Sequence, residues 1–232
     1  MESTPLKIYH YDLCPSSISL LSFLKLANIP FEAIHVDISK KEHTTPEHAK
    51  INPIQQIPLL IEGETFSLTE ANTIMRYLAQ TRCGESNWYS RDIKKAAEID
   101  RIMDWSHTSQ PILVDFFMAL SVRDYKLSPD EARNELKKVL NPLENHFLNN
   151  QDYITGENMT IGDLALIPHL MRLRIVGYKF TDFPKVDAYI KKLEEDSVIG
   201  GEAAKWVASL QDEVNKRKIQ YSKEDAKKKK MD

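Results

Sequence analysis

The spacing of the apolar residues changes once along the chain, near residue 80, and that change limits the fold more than any single motif. Before it, short runs alternate between the strand and helix periods. Leu6 and Ile8 read as a strand, and Ile18, Leu21 and Leu24 after Cys14-Pro15 repeat as a helix does. Asn28-Ile29-Pro30 stops that helix, and Phe31 to Ile38 reads as a second strand. After a polar segment, Ile57 to Ile61 and Thr65 to Leu68 flank Glu62-Gly63-Glu64 as a hairpin, and a helix beginning near Glu70 carries Ile74, Met75, Tyr77 and Leu78.

Beyond Arg91 only the helical period remains. Leu113, Phe116, Phe117 and Leu120 form one stripe, Leu136, Val139, Leu140, Leu143 and Phe147 another, and Val186, Tyr189, Ile190 and Leu193 a third. The spacing predicts an α/β region at 1–81, a polar linker at 82–90 and an all-α region at 91–217. A Lys-rich tail at 218–232 has no apolar face and is expected to be disordered.

Composition narrows the function. Residues 216–232 hold 8 of the 31 Lys and Arg residues and 3 of the 34 Asp and Glu residues, so the acidic excess lies in the body of the chain. An acidic body argues against nucleic acid as a partner, because phosphate binding needs a basic surface. No run approaches the ~20 apolar residues of a membrane span, and the amino terminus lacks the pattern of a secretory signal. The two cysteines, Cys14 and Cys83, allow no disulfide framework, so a cytoplasmic location is expected. His43 and His48 are not spaced as a zinc-protease pair, and no metal site is expected.

Cys14-Pro15-Ser16-Ser17 is the most informative tetrapeptide. A thiol follows a strand and stands where a helix begins, with proline at the first helical position. Helix-start amides and the helix dipole favour a thiolate, and cysteines so placed have pKa values of roughly 3.5 to 7.5.

The strand, the Cys-Pro helix start, Ile57-Pro58 and the terminal hairpin are the ordered parts of a thioredoxin-like domain. With Asn28-Ile29-Pro30-Phe31-Glu32, Asn52-Pro53, Leu68-Thr69-Glu70, Trp88-Tyr89, Asp104-Trp105-Ser106-His107-Thr108 and Thr160-Ile161-Gly162-Asp163-Leu164, they make the sequence resemble a glutathione transferase of the theta class from Leu6 to about Lys216. The resemblance implies a thioredoxin-like glutathione-binding domain followed by a helical-bundle domain, with glutathione as co-substrate whose thiolate is conjugated to hydrophobic electrophiles or reduces peroxides, and a homodimeric assembly.

Residue roles follow from the same resemblance. Theta enzymes are implied to place a serine hydroxyl against the glutathione sulfur, and ungapped counting puts Cys14 at that position. A Cys-Pro start is similar to the omega class and to glutaredoxins, where the cysteine forms a mixed disulfide with glutathione. Ser16 or Ser17 is the alternative hydroxyl. Ile57 and a cis Pro58 are implied to meet the glutathione cysteinyl group, Glu70 and Ala71 its γ-glutamyl end, and His43 its glycyl carboxylate. Trp105 and Phe116 are the candidates for the electrophile pocket. Ala71 stands where the family has serine, and Ser109-Gln110-Pro111 where an arginine is usual. These departures keep two rivals open: a glutathione-dependent thiol reductase with Cys14 as nucleophile, and a non-catalytic scaffold.

Overall fold

The computed structural model describes residues 5–231, with side chains to Tyr221. Strand β1 (Leu6–His10), helix α1 (Pro15–Leu26) and strand β2 (Glu32–His35) form a β-α-β unit with the two strands parallel. Two 3₁₀ turns at Ile38–Lys40 and Glu42–Thr44 lead to α2 (Pro46–Ile51), the hairpin β3 (Leu59–Glu62) and β4 (Phe66–Thr69), and α3 (Ala71–Arg82). The sheet order is β2-β1-β3-β4, with β3 antiparallel to both neighbours.

Edge strand β2 is shorter than its apolar run. The run Phe31 to Ile38 yields strand only over Glu32–His35, because Asp37 turns the chain by accepting from the Ser39 amide at 2.9 Å. In the hairpin, Gly63 takes a φ of 66° at the turn, a conformation that costs glycine little.

Helix α1 is buried all round, which explains its unusual run of serines. Leu20, Phe23 and Leu24 are fully buried, and so are the small side chains of Ser17, Ser19 and Ser22, because α1 lies between the sheet and the later helices α6 and α8. Its exit is a Schellman closure. Asn28, at φ 53°, lets Ile29 N–H reach Leu24 O at 2.9 Å and Asn28 N–H reach Lys25 O at 3.1 Å.

The helical region comprises α4 (Ile93–Ser121), α5 (Pro129–Pro142) with a π-type turn over Leu143–Phe147, α6 (Ile161–Ile175), α7 (Pro184–Glu194) and α8 (Ser197–Met231). Helix α6 is its axis, packed by α4, α1 and α8 and buried on almost every side chain. Its start is fixed by a capping box. The Thr160 side chain accepts from the Gly162 amide at 3.2 Å, and Asp163 accepts from the Thr160 and Ile154 amides at 2.8 and 2.9 Å and from the Tyr189 hydroxyl at 2.9 Å. Gly162 leaves room for the capping hydroxyl, since a Cβ there would lie 3.3 Å from Thr160 Oγ1.

Part of the tail expected at 218–232 continues a helix. Helix α8 continues to Met231, and Tyr221 docks on the body: its hydroxyl accepts the Arg123 backbone N–H at 3.0 Å, with the Arg123 guanidinium 4.5 Å from its ring centre. An aromatic ring under a guanidinium gives this end of the chain something to pack against, which a reading of apolar periodicity alone passes over. The side chains of Lys227 to Lys230, and Asp232 altogether, lie outside the described residues.

Candidate active site

A cavity of about 310 Å³ opens where α1, the β3 approach and the start of α3 face α4 and α6. Its α/β wall is made by Ser16, Ile57 and Glu70, and its helical wall by His107, Gln110 and His169.

The α/β wall is shaped mainly by backbone. Cys14 is the N-cap of α1, extended at φ −103° and ψ 116°, and makes no side-chain cap. Its Sγ is instead 3.8 Å from the carbonyl oxygen of Ile57, a long and weak thiol contact. The Ile57–Pro58 bond is cis. Glu70 is the N-cap of α3 at φ 69° and ψ 108°, a region that non-glycine residues avoid at a cost of roughly 1–3 kcal/mol. Its side chain caps nothing, although its carbonyl accepts the first helical bond from Ile74 N–H at 2.9 Å. Strain of this kind at a cavity wall is a mark of functional sites. Ala71, almost fully buried, lines the cavity beside it.

The two serines separate. Ser16 lines the cavity, whereas Ser17 is fully buried and its Oγ accepts the Tyr11 amide at 3.3 Å, holding the β1–α1 turn. Ser17 is therefore corrected from a candidate sulfur activator to a support of the loop that carries Cys14. His43, expected at the glycyl end, lies outside the lining of this cavity, in the middle of the second 3₁₀ turn, with Nδ1 buried and without a hydrogen-bond partner among the described residues.

The helical wall differs from expectation. Phe116 is wholly buried, edge-on to Tyr178 at 5.3 Å, and belongs to the core; its place in the i, i+3, i+4 stripe already required burial. Trp105 is outside the lining and stacks on Phe147 at 5.5 Å. The α4 residues that do reach the cavity are Ser106, His107 and Gln110, one helical turn of the same face. Pro111 follows them inside α4 and has no N–H for the His107 carbonyl, so that carbonyl lacks its ordinary helical donor. Asn72 joins the two walls, donating to Met103 O at 2.7 Å and Ser106 Oγ at 3.3 Å.

Sequence reasoning missed His169. It is 5% exposed on α6, and burial first, then Arg172 and His107, lower its pKa to about 3. Its Nδ1 is 3.0 Å from Arg172 Nη1. A neutral imidazole that accepts at Nδ1 carries its proton on Nε2. The available signal was a His and an Arg three residues apart in a mostly apolar helix. Elsewhere, burial raises the Cys83 thiol. Among the described residues no three His, Cys, Asp or Glu side chains gather as a metal site, and no helix is long and apolar enough to cross a membrane.

A thioredoxin-like sheet with a cysteine at its first helix start is followed by a helical region, and a polar cavity lies between the two. The comparisons name the family. The glutathione S-transferase N-terminal domain matches residues 4–80, and the C-terminal domain matches 109–196. Bovine glutathione S-transferase theta-1 is 31% identical over 183 residues, covering 74% of this chain and 75% of its own; the human theta-1 enzyme is 30% identical with the same coverage. Among solved structures, an epsilon-class glutathione S-transferase from housefly superposes with TM-score 0.80 at 26% identity over 91% of this chain and 98% of its own. Human glutathione S-transferase T1-1 superposes with TM-score 0.74 at 27% identity over 90% of each chain. The chain belongs to the glutathione S-transferase family, with theta-like sequence and glutathione as its co-substrate.

Proposed function

We propose that this glutathione transferase activates the co-substrate's sulfur at the start of α1, with Cys14 beside it. The observation that carries the reading is the position of Cys14 Sγ, 3.8 Å from the carbonyl of Ile57. In the family the backbone at Ile57 pairs with the cysteinyl unit of glutathione, so a sulfur bound there lies within reach of Cys14. The free amides at the start of α1 and the Ser16 hydroxyl supply donors to a thiolate. Glu70 and the start of α3 hold the γ-glutamyl end, with the Ala71 amide in place of a seryl hydroxyl.

In conjugation, the glutathione thiolate attacks an electrophilic carbon of a hydrophobic substrate. The carbon–sulfur bond forms as the leaving group departs with its electron pair. A second reading uses the same geometry: the Cys14 thiolate attacks the glutathionyl sulfur of a mixed disulfide, releasing the other thiolate, and a second glutathione thiolate then takes the glutathionyl sulfur from Cys14 as the oxidised dimer of glutathione. A weak S–H donor serves a thiolate less well than a hydroxyl does, which favours this second reaction at Cys14. The strained Glu70 and the buried His169 at the cavity wall argue against a purely structural scaffold.

Wild type and Cys14→Ser assayed for conjugation and for mixed-disulfide reduction separate the readings. Retained or raised conjugation with lost reduction supports a working site with Cys14 as reductase nucleophile. Loss of both assigns Cys14 a structural role. Assembly as a homodimer fits the exposed Ile93 at the start of α4 and Phe66 on edge strand β4, and free cysteines suit a reducing cytosol.

A further inference from the structure

The helical wall of the cavity is polar, although a hydrophobic second substrate calls for apolar cover. Trp105 and Phe116 stay outside it, and the α4 and α6 side chains that line it are Ser106, His107, Gln110, Ala165 and His169, of which Ala165 alone is apolar. Ala165 and His169 stand four residues apart on one face of α6, so the short side chain of one leaves space beside the ring of the other. At about 310 Å³ the cavity is at the lower end of the range for ligand pockets, roughly 300–1,000 Å³, so reactants bound in it meet both walls.

The donors on this wall are unequal. Ser106 is buried and its proton is committed to the Met103 carbonyl at 2.6 Å. His107 is exposed and Gln110 half-buried, so both side chains have room to turn. His169 is buried and held: its Nδ1 accepts from Arg172 Nη1 at 3.0 Å, and the Arg172 guanidinium lies 5.4 Å from the ring centre of the buried Trp206. A guanidinium only donates, so the neutral ring accepts at Nδ1 and carries its hydrogen on Nε2. Among the described residues Nε2 has no hydrogen-bond partner. A lone N–H fixed in this way is a preorganised donor for whatever fills the cavity.

We propose that His169 is the residue that sets specificity for the second substrate, its Nε2–H donating to a substrate oxygen on which charge develops, which selects unsaturated carbonyl compounds over haloalkanes. This inference rests on the glutathione site proposed above and names the class of electrophile that site takes. The glutathione thiolate, its proton lost to solvent, forms a carbon–sulfur bond at the β-carbon of the unsaturated carbonyl. The carbon–carbon π pair shifts toward the carbonyl and leaves negative charge on its oxygen, opposite Nε2–H. Water then protonates the α-carbon and the carbonyl returns, so no leaving group departs. A neutral imidazole suits this step, because it stabilises an oxyanion by hydrogen bonding without surrendering its proton. In displacement on a haloalkane the charge departs on a large, diffuse halide, which gains less from one N–H.

The test compares glutathione conjugation of methyl vinyl ketone and of bromobutane by the full-length protein, each corrected for its uncatalysed rate. Wild type should favour the ketone. His169→Leu should lower the ratio of kcat/KM for the ketone to that for the haloalkane about 100-fold, as for loss of one oxyanion donor, and His169→Gln, which keeps an N–H, should restore part of it. An unmoved ratio in folded His169→Leu overturns the inference, whatever its absolute rates. Titration calorimetry on the wild type supplies a second arm that needs no variant: the glutathione adduct of methyl vinyl ketone should bind several-fold tighter than S-butylglutathione, the same chain without the oxygen. Equal or weaker binding of the ketone adduct overturns the inference. A wild type that conjugates neither substrate also overturns it, and if neither adduct binds, the glutathione site falls with it.

Discussion

The starts of α1 and α6 are both helix N-termini inside one molecule, and they are finished in opposite ways. Thr160, with the Trp88 carbonyl, satisfies the amides at the start of α6, and the Asp163 carboxylate holds the Thr160 and Ile154 amides and the Tyr189 hydroxyl. Cys14 leaves the start of α1 uncapped, its sulfur turned toward the Ile57 carbonyl. Orphan helix amides are a liability when buried and a binding site when a ligand can reach them. A helix start is thus a structural joint or a chemical site according to whether its own side chains close it.

The contrast breaks first at Cys14. Cys14→Ser should abolish thiol transfer, measured by mixed-disulfide reduction, while thermal unfolding followed by circular dichroism stays near wild type. A large drop in melting temperature would place both helix starts in one category. The reciprocal change, Asp163→Ala, should cost about 3–5 kcal/mol, because it strands several buried donors. For a chain of this size that is a fall on the order of 10 °C in the same melt.

Acid sharpens the comparison further along α6. The His169 pKa is lowered from 6.5 to about 3 in the fold. Above pH 6.5 both folded and unfolded chains hold it neutral. As pH falls from 6.5 toward 3 only the unfolded chain takes the proton, so stability falls by about 1.4 kcal/mol per pH unit. Denaturant midpoints measured across that range should drop for wild type and flatten for His169→Gln.

Smaller effects are expected where backbone already holds the contact. Ala71→Ser adds one hydroxyl beside the Glu70 turn and should lower KM for glutathione several-fold with kcat unchanged, since a contact remote from sulfur is equal in ground and transition states. Titration calorimetry checks the sign; unchanged or weaker affinity would remove Ala71 from the γ-glutamyl site. At the other end of the molecule, Tyr221→Ala should cost about 1 kcal/mol through loss of its contacts with Arg123, and deletion of 222–232 less still; paired thermal melts rank the two.

The sequence by itself determined the order of elements, because periods of 2 and 3.6 are local properties of how side chains leave the backbone. It also marked the uncapped helix start, since Cys14-Pro15 is a contiguous signal, and the capping box at Thr160 and Asp163. Tertiary structure decided which side chains reach the cavity. Ser16 and Ser17 are adjacent in sequence, yet about 100° of helical turn puts one at the cavity and the other under the loop. Phe116 and Trp105 carry the right chemistry for an apolar pocket and are spent on the core, while His107, Gln110 and His169 line the wall. The cavity shared by Ser16 and His169 joins α1 to α6 across more than 150 residues of chain. Only the packing of two helices could bring those side chains together, because a local sequence pattern fixes the face on which a residue stands but not what another part of the chain places opposite it.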